Sequence, residues 1–257
     1  MNYFNSEIAA VNYANGRPQF HASTIKRIKN YLHIDGLLDT ALDIACGTGL
    51  STRALLPIAK KVFGTDSSVQ MLKMAMDDDD INYQEAFAEC QPFGNEMFDL
   101  ITVCSGVHWF EIDQFLAECH RLLRPGGWLV LYENFFMGEM EDVIDFKLWN
   151  TDVYLKKFPS PLKNRYYAWT EENLEEKGFD LRHTDNFANA VQLSRHELVS
   201  YLLTQSNVIA RVENKECKYP AVTNWLNGQL SPFYEDTSQR RILYYGNWIK
   251  YLQKPHN

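Results

Sequence analysis

Apolar and polar positions alternate along the first half of the chain in two rhythms. Short runs rich in β-branched and aromatic residues, ALDIA (41–45), KVFGTD (61–66), INYQE (81–85), FDLITVC (98–104) and GWLVLYE (127–133), predict strands. Between most of them lie stretches of helical period, LSTRALLPIA, SSVQMLKMAM and IDQFLAECHRLL, the last with Leu116, Cys119, Leu122 and Leu123 recurring at helix spacing. Strand alternating with helix predicts a parallel sheet covered on both faces, the doubly wound α/β architecture. RPGG (124–127) should stop one helix and turn the chain into the next strand, since proline cannot continue a helix and glycine permits the reversal.

After residue 133 the alternation lapses. Residues 134–168 are rich in aromatics and lysine and carry no strand signal, whereas TEENLEEKGFDLRHTDNF (170–187) resumes a helix, a glycine stop and a strand. A further helical stretch follows over 190–230, and RILYYGNWIKYLQ (241–253) reads as a closing strand. The expected organisation is one domain over 1–257, with a cofactor-binding core at 35–133, closing strands at 170–187 and 241–253, and helical lid insertions at 134–168 and 190–230. The tetra-aspartate 77–80 reads as a solvated loop before a strand, because four adjacent carboxylates cannot all face one ion.

Composition narrows the function classes. With 25 basic and 33 acidic residues the net charge is -8, and no basic block tracks a phosphate backbone, so nucleic acid is not expected as a partner. No apolar run approaches the roughly 20 residues that span a bilayer, and the first residues lack the pattern of a secretion signal. A soluble cytoplasmic protein without a membrane partner is expected, its state as monomer or homodimer left open. The five cysteines, Cys46, Cys90, Cys104, Cys119 and Cys217, form no CxxC pair, which argues against a zinc site or a disulfide framework. No metal is expected.

The candidate chemistry lies in LDIACGTGLST (42–52), where Gly47 and Gly49 follow the first predicted strand. In an open α/β sheet a glycine-rich turn at this point lets the backbone approach a ligand closely. A nicotinamide or flavin fingerprint needs a third glycine where Thr52 stands, and a phosphate-binding loop needs a Gly-Lys-Ser/Thr ending that is absent. Instead there are two carboxylates: Asp43 just before the turn, and Asp66 at the end of the next strand, the interval suited to ribose hydroxyls. They suit a ligand bearing hydroxyls and positive charge. S-adenosylmethionine fits better than NAD, because it carries a ribose, an ammonium and a sulfonium but no pyrophosphate.

LDIACGTG, GTDSSVQML, the stretch from AEC to FDLITV, and LLRPGGWLVL together resemble the ordered motifs of the class I S-adenosylmethionine-dependent methyltransferases over about residues 40–133. The flanks FNSEIAAVNYANGRPQF, SGVHWF and LVSYLLTQSNV are similar to the trans-aconitate methyltransferase-like group of small-molecule enzymes. This resemblance implies a Rossmann-like seven-stranded sheet with an antiparallel last strand, and S-adenosylmethionine as methyl donor. It also implies cofactor contacts at Asp43, Gly47 and Gly49, with Ala45 where the family's usual first glycine stands. Asp66 matches the ribose carboxylate, with Ser67 and Met71 beside it; adenine recognition falls to backbone near Phe87 and Ala88. Cys104 and Ser105 fall beside the methionine part. Tyr13 and Arg17 match an N-terminal segment that folds over the cofactor in relatives, and Arg17 has the planar fork suited to its carboxylate.

His108 and Trp109 follow the fourth predicted strand at its carboxyl end, where substrate meets donor in this fold. His108 can accept a proton or orient a substrate oxygen, and Trp109 can wall the pocket or face the sulfonium. The other histidines have no paired ligand spacing. The expected activity is methyl transfer to a small molecule, with a carboxylate or hydroxyl as acceptor. The alternative is a cofactor-binding but catalytically idle module acting through a protein partner, since a fold alone never establishes activity.

Overall fold

Two helices precede the first strand, α1 (Glu7–Gly16) and α2 (His21–Tyr31). Ser6 starts α1 by accepting the Ala9 N–H at 3.2 Å, which satisfies one of the donors a helix start leaves open. The alternating region follows: β1 (Leu38–Ile44), α3 (Leu50–Arg53), β2 (Ala59–Asp66), α4 (Val69–Leu72), β3 (Ile81–Glu85), β4 (Phe98–Cys104), α5 (Ile112–Leu122) and β5 (Leu123–Met140). A helical run then leads from α6 (Ile144–Trp149) through a π-turn at Asn150–Tyr154 to α7 (Leu155–Lys157). The chain continues with α8 (Glu171–Glu175), β6 (Asp180–Ser194), α9 (Arg195–Leu203), α10 (Ser206–Glu213), α11 (Tyr219–Leu230) and β7 (Arg240–Gln253). This computed structural model describes residues 4–75, 79–161 and 167–256. Asp77 and Asp78 of the tetra-aspartate therefore lie outside the described residues. Among the described residues no helix is long and apolar enough to cross a membrane.

The seven strands form one sheet in the order β3-β2-β1-β4-β5-β7-β6. β1 pairs in parallel with β2 and β4, β2 with β3, and β4 with β5. Strand β7 runs the other way beside β5: Trp248 bonds Glu133 while Ile242 bonds Glu141, so one strand falls as the other rises. The last strand in the chain is thus antiparallel, and the sheet is the doubly wound, Rossmann-like one that the alternation predicts.

Several boundaries move. α3 ends at Arg53, short of the expected Ala59, because Pro57 has no N–H to donate and the chain tightens into i to i−3 bonds, Leu55 to Thr52 at 3.0 Å and Ile58 to Leu55 at 2.9 Å. β5 runs on to Met140, into the stretch expected to be helical. Its inward positions there are Asn134, Gly138 and Met140, so the period of two is real but is carried partly by residues that hydrophobicity does not mark. β6 likewise continues to Ser194, so the helices after it begin at Arg195 rather than near 190. RPGG is absorbed as a bulge: Phe98 pairs with Leu123 but Leu100 pairs with Trp128, with Gly126 at φ 78°.

The chain divides into two compact units. One comprises residues 19–134, 163–187 and 247–257; the other comprises 1–18, 135–162 and 188–246. In the first unit successive strand residues face opposite sides. Leu42, Ile44, Ile101 and Val103 pack with Phe115, Leu116 and Cys119 of α5, whereas Ala41, Val62, Leu100 and Val130 pack with Ile25 and Ile28 of α2. Each of the leucine, isoleucine, valine and phenylalanine side chains, removed from water, contributes about 1.5–3 kcal/mol. In the second unit an aromatic cluster of Phe136, Tyr201 and Tyr245 has ring centroids 5.1–5.7 Å apart.

Candidate active site

Parallel register brings the carboxyl ends of four strands to one edge. Asp66 pairs with Glu85, Ile44 with Thr65 and Val103, and Cys104 with Tyr132. The chain order reverses between β1 and β4, the switch point where open α/β sheets bind ligands. The glycine turn leaves β1 at this point.

Three residues of the turn have left-handed backbone, Ala45 at φ 56°, Gly47 at 56° and Gly49 at 75°. The turn is tied down by Cys46 N–H to Thr65 O at 2.9 Å and Gly49 N–H to Cys46 O at 3.0 Å. Gly49 has a steric reason to lack a side chain, since a Cβ there would fall against the Tyr83 hydroxyl and within 2.9 Å of its Cζ. Ala45 holds its conformation at a cost of about 1–2 kcal/mol. A Cβ on Gly106, just past β4, would lie 2.9 Å from the Ala45 Cβ, so the exits of β1 and β4 meet at van der Waals contact. Gly106→Ala is therefore expected to cost about 1–3 kcal/mol, and Ala45→Gly to recover more stability in that background than in the parent; thermal unfolding of the four proteins measures the coupling.

Asp43 is fully buried and has three hydroxyl donors: Ser51 Oγ at 2.6 Å, Thr52 Oγ1 at 2.8 Å and Thr102 Oγ1 at 2.9 Å. It lies beneath the turn as its anchor, not on an open surface as a ligand contact would. Burial pushes its carboxyl up to about 6, against the pull of the three hydroxyls. The folded state thus holds this proton more tightly than the unfolded state, so Asp43 contributes stability at pH below the ordinary 3.8 that is lost as pH rises to about 6. At about 1.4 kcal/mol per pH unit this amounts to at most about 3 kcal/mol. Asp43→Asn should therefore flatten the fall in stability between pH 4 and 6, read as the difference between the two melting curves.

Asp66 is half-buried and accepts Gly47 N–H through Oδ2 and Ser68 N–H through Oδ1, both at 2.8 Å. Burial raises its carboxyl above the ordinary range and the two backbone donors oppose this. Ser67 is half-buried beside it, and Ser68 caps α4 by accepting Met71 N–H at 3.3 Å. The buried Met71 places its Cε 3.8 Å from where a Gly47 Cβ would sit, so it flanks the turn. Farther along the edge Phe87 is 68% exposed and Ala88 is buried in the core, with the Phe87 carbonyl held by Gln91 Nε2 at 2.8 Å.

At the β4 exit, Ser105 also has left-handed backbone, φ 56°, and its N–H donates to Tyr132 O at 2.9 Å. The Cys104 thiol lies 3.7 Å from Ser105 Oγ and burial pushes it up to about 12, which keeps it protonated. The chain then makes a 3-10 turn over Val107–Trp109, with the rings of His108 and Trp109 4.9 Å apart and both side chains half-buried. Asp43, Ala45, Gly47, Gly49, Asp66, Met71, Cys104 and Ser105 therefore gather at one edge, with His108 and Trp109 on the next turn. Tyr13 and Arg17 belong to the other unit, where the Arg17 guanidinium lies 4.4 Å from the Tyr13 ring centroid and donates to Thr204 O at 3.1 Å. Sequence alone does not mark Ser51, Thr52 and Thr102 as anchors of Asp43; the one signal, for the first two, is a pair of hydroxyl residues two and three positions after Gly49. Among the described residues no cluster of His, Cys, Asp or Glu is placed to hold a metal ion.

The arrangement suits S-adenosylmethionine: a carboxylate whose two bonds to backbone leave lone pairs for ribose hydroxyls, beside a turn with glycine at two positions. Residues 42–131 match the family model described as a methyltransferase domain. A Dictyostelium discoideum protein assigned as a methyltransferase is 26% identical over 209 residues, 78% of this chain and 76% of the relative. The demethylmenaquinone methyltransferase of Chlorobaculum parvum is 40% identical over 96 residues, spanning 36% of this chain and 39% of that protein. Among solved structures, one from Anaeromyxobacter dehalogenans assigned as a type II methyltransferase aligns over 94% of this chain and 99% of its own, with TM-score 0.73 at 17% identity. Residues 42–131 of the chain thus match a methyltransferase domain, and its fold is shared with that solved structure over nearly the whole of both chains.

Proposed function

We propose that the protein methylates a small-molecule acceptor, a carboxylate or hydroxyl, at the exit of β4. The observation that carries this is the placement of Asp66 and the glycine turn beside the β4 exit, which separates a ribose-binding end from a reacting end. When bound, S-adenosylmethionine supplies a methyl group on a cationic sulfur; as the acceptor oxygen bonds to that carbon, the carbon–sulfur bond breaks and a neutral thioether is left. Asp66 accepts from the ribose hydroxyls, with Ser67 beside it, and Gly47, Gly49 and Ala45 bring backbone close to the methionine part. Met71 packs an adenine face, and backbone near Phe87 and Ala88 bonds its edge. Cys104 and Ser105 border the sulfur end, and Asp43 acts through Ser51, Thr52 and Thr102 as a positioning residue.

His108 orients the acceptor oxygen or takes its proton, and Trp109 walls the acceptor. A carboxylate acceptor is ionised at neutral pH and needs no base; a hydroxyl needs one. Positioning alone supplies up to roughly 7–11 kcal/mol in well-oriented systems. The absence of a basic block from a chain of net charge -8 supports a small molecule over nucleic acid, as does the quinone precursor in the name of the Chlorobaculum relative.

The test uses donor labelled in its methyl group and a cell extract separated into small-molecule, protein and nucleic-acid fractions. Label is expected in the small-molecule fraction. Label confined to protein or nucleic acid, or no transfer to any fraction, contradicts the proposal.

A further inference from the structure

Between α2 and the segment from α3 to Ile58 runs a groove of about 360 Å³, inside the roughly 300–1,000 Å³ range of small-molecule sites. Its apolar surface comes from Ala22 on one side and Leu50, Ala54 and Pro57 on the other, over the buried Ile25 and Ile58. Its rim is cationic. Lys26 and Lys29 rise from α2, one turn apart on the face that carries Ile25, and Arg53 stands opposite on α3. None of the described lining residues is acidic, although the chain as a whole has net charge -8, so the groove is opposite in sign to the chain.

An apolar floor under a rim of three cations complements a ligand with an apolar body and one anionic head. It opposes a cationic head. One wall is also continuous with the glycine turn. Arg53 Nη1 donates to Thr48 O at 3.3 Å and the Arg53 N–H donates to Gly49 O at 3.0 Å, so a head group that engages the guanidinium displaces or shares its bond to the turn.

We infer that this groove binds a free amphipathic carboxylate, of the size of a medium-chain fatty acid, with its head at Lys26, Lys29 and Arg53 and its tail along Ala22, Leu50 and Pro57. The binding stands independently of the acceptor and of the donor's contacts. Monomeric decanoate titrated into the full chain is expected to move the amide resonances of Ala22, Lys29, Arg53 and Gly49. Decyltrimethylammonium, with the same tail and reversed charge, should leave them in place. Lys26→Glu with Lys29→Glu should weaken decanoate at least about tenfold. Ala22→Trp, at an exposed position lining the groove, should weaken it with the rim charges intact. Equal binding of both amphiphiles, decanoate affinity unchanged in either variant, or retention on anionic vesicles without binding of monomeric decanoate would overturn the inference.

Discussion

Replacing Asp66 by alanine is expected to lower the affinity for S-adenosylmethionine at least tenfold while the protein stays folded. The carboxylate can accept two charge-assisted hydrogen bonds from a ribose, each worth roughly 1.5–3 kcal/mol, and about 1.4 kcal/mol is a tenfold change. Asp66 also clamps the turn, because Gly47 N–H and Ser68 N–H both bond to it at 2.8 Å. Losing it frees both ends of that clamp, so binding suffers twice: fewer contacts, and a turn that must be ordered on binding. The fold survives because Asp66 is half-buried, so water can reach the released donors, and because burial already works against its charge. Asp66→Asn, which keeps one acceptor oxygen, should fall between the parent and the alanine variant. Calorimetry with the donor decides; an unchanged affinity in Asp66→Ala would leave this residue with the turn alone.

The second large effect is expected at His108, on the 3-10 turn that follows β4. Gly106, two residues earlier, meets Ala45 of the glycine turn, so this segment leaves the sheet directly beside the donor's proposed seat. His108→Ala should keep its affinity for the donor and lose turnover, by about 10²–10⁴-fold if the imidazole takes a proton, and by less if it only orients. The pH profile separates the roles, because a general base gives a parent rate that rises with pH as the imidazole loses its proton and a flat profile in the variant. Weakened donor binding with unaltered turnover at saturation would place His108 on the wrong side of the sulfur.

The parts of the molecule legible from sequence are those whose signal is local. β3 and β4 fall where INYQE and FDLITVC predict them, because β-rich runs bounded by polar residues need no partner to be recognised. The second half of β5 was not legible, since its buried positions Asn134 and Gly138 owe their burial to neighbouring elements and not to apolar side chains. Asp43 illustrates the same limit in the site. Its place before the glycines marks it as a ligand contact, but its burial depends on Thr102, which lies opposite it only through the pairing of β1 with β4. The groove between α2 and α3 depends on packing in the same way. Its three cations are scattered over residues 26–53 and converge only when the two helices pack side by side.

A crystal structure of the protein with S-adenosylhomocysteine tests the central assignment most directly. The account predicts the ribose hydroxyls within hydrogen-bonding distance of the Asp66 carboxylate, backbone of the Gly47–Gly49 turn beside the amino-acid part, and the sulfur directed toward Ser105 and His108. A nucleoside seated away from Asp66, or a sulfur turned from the β4 exit, would contradict it.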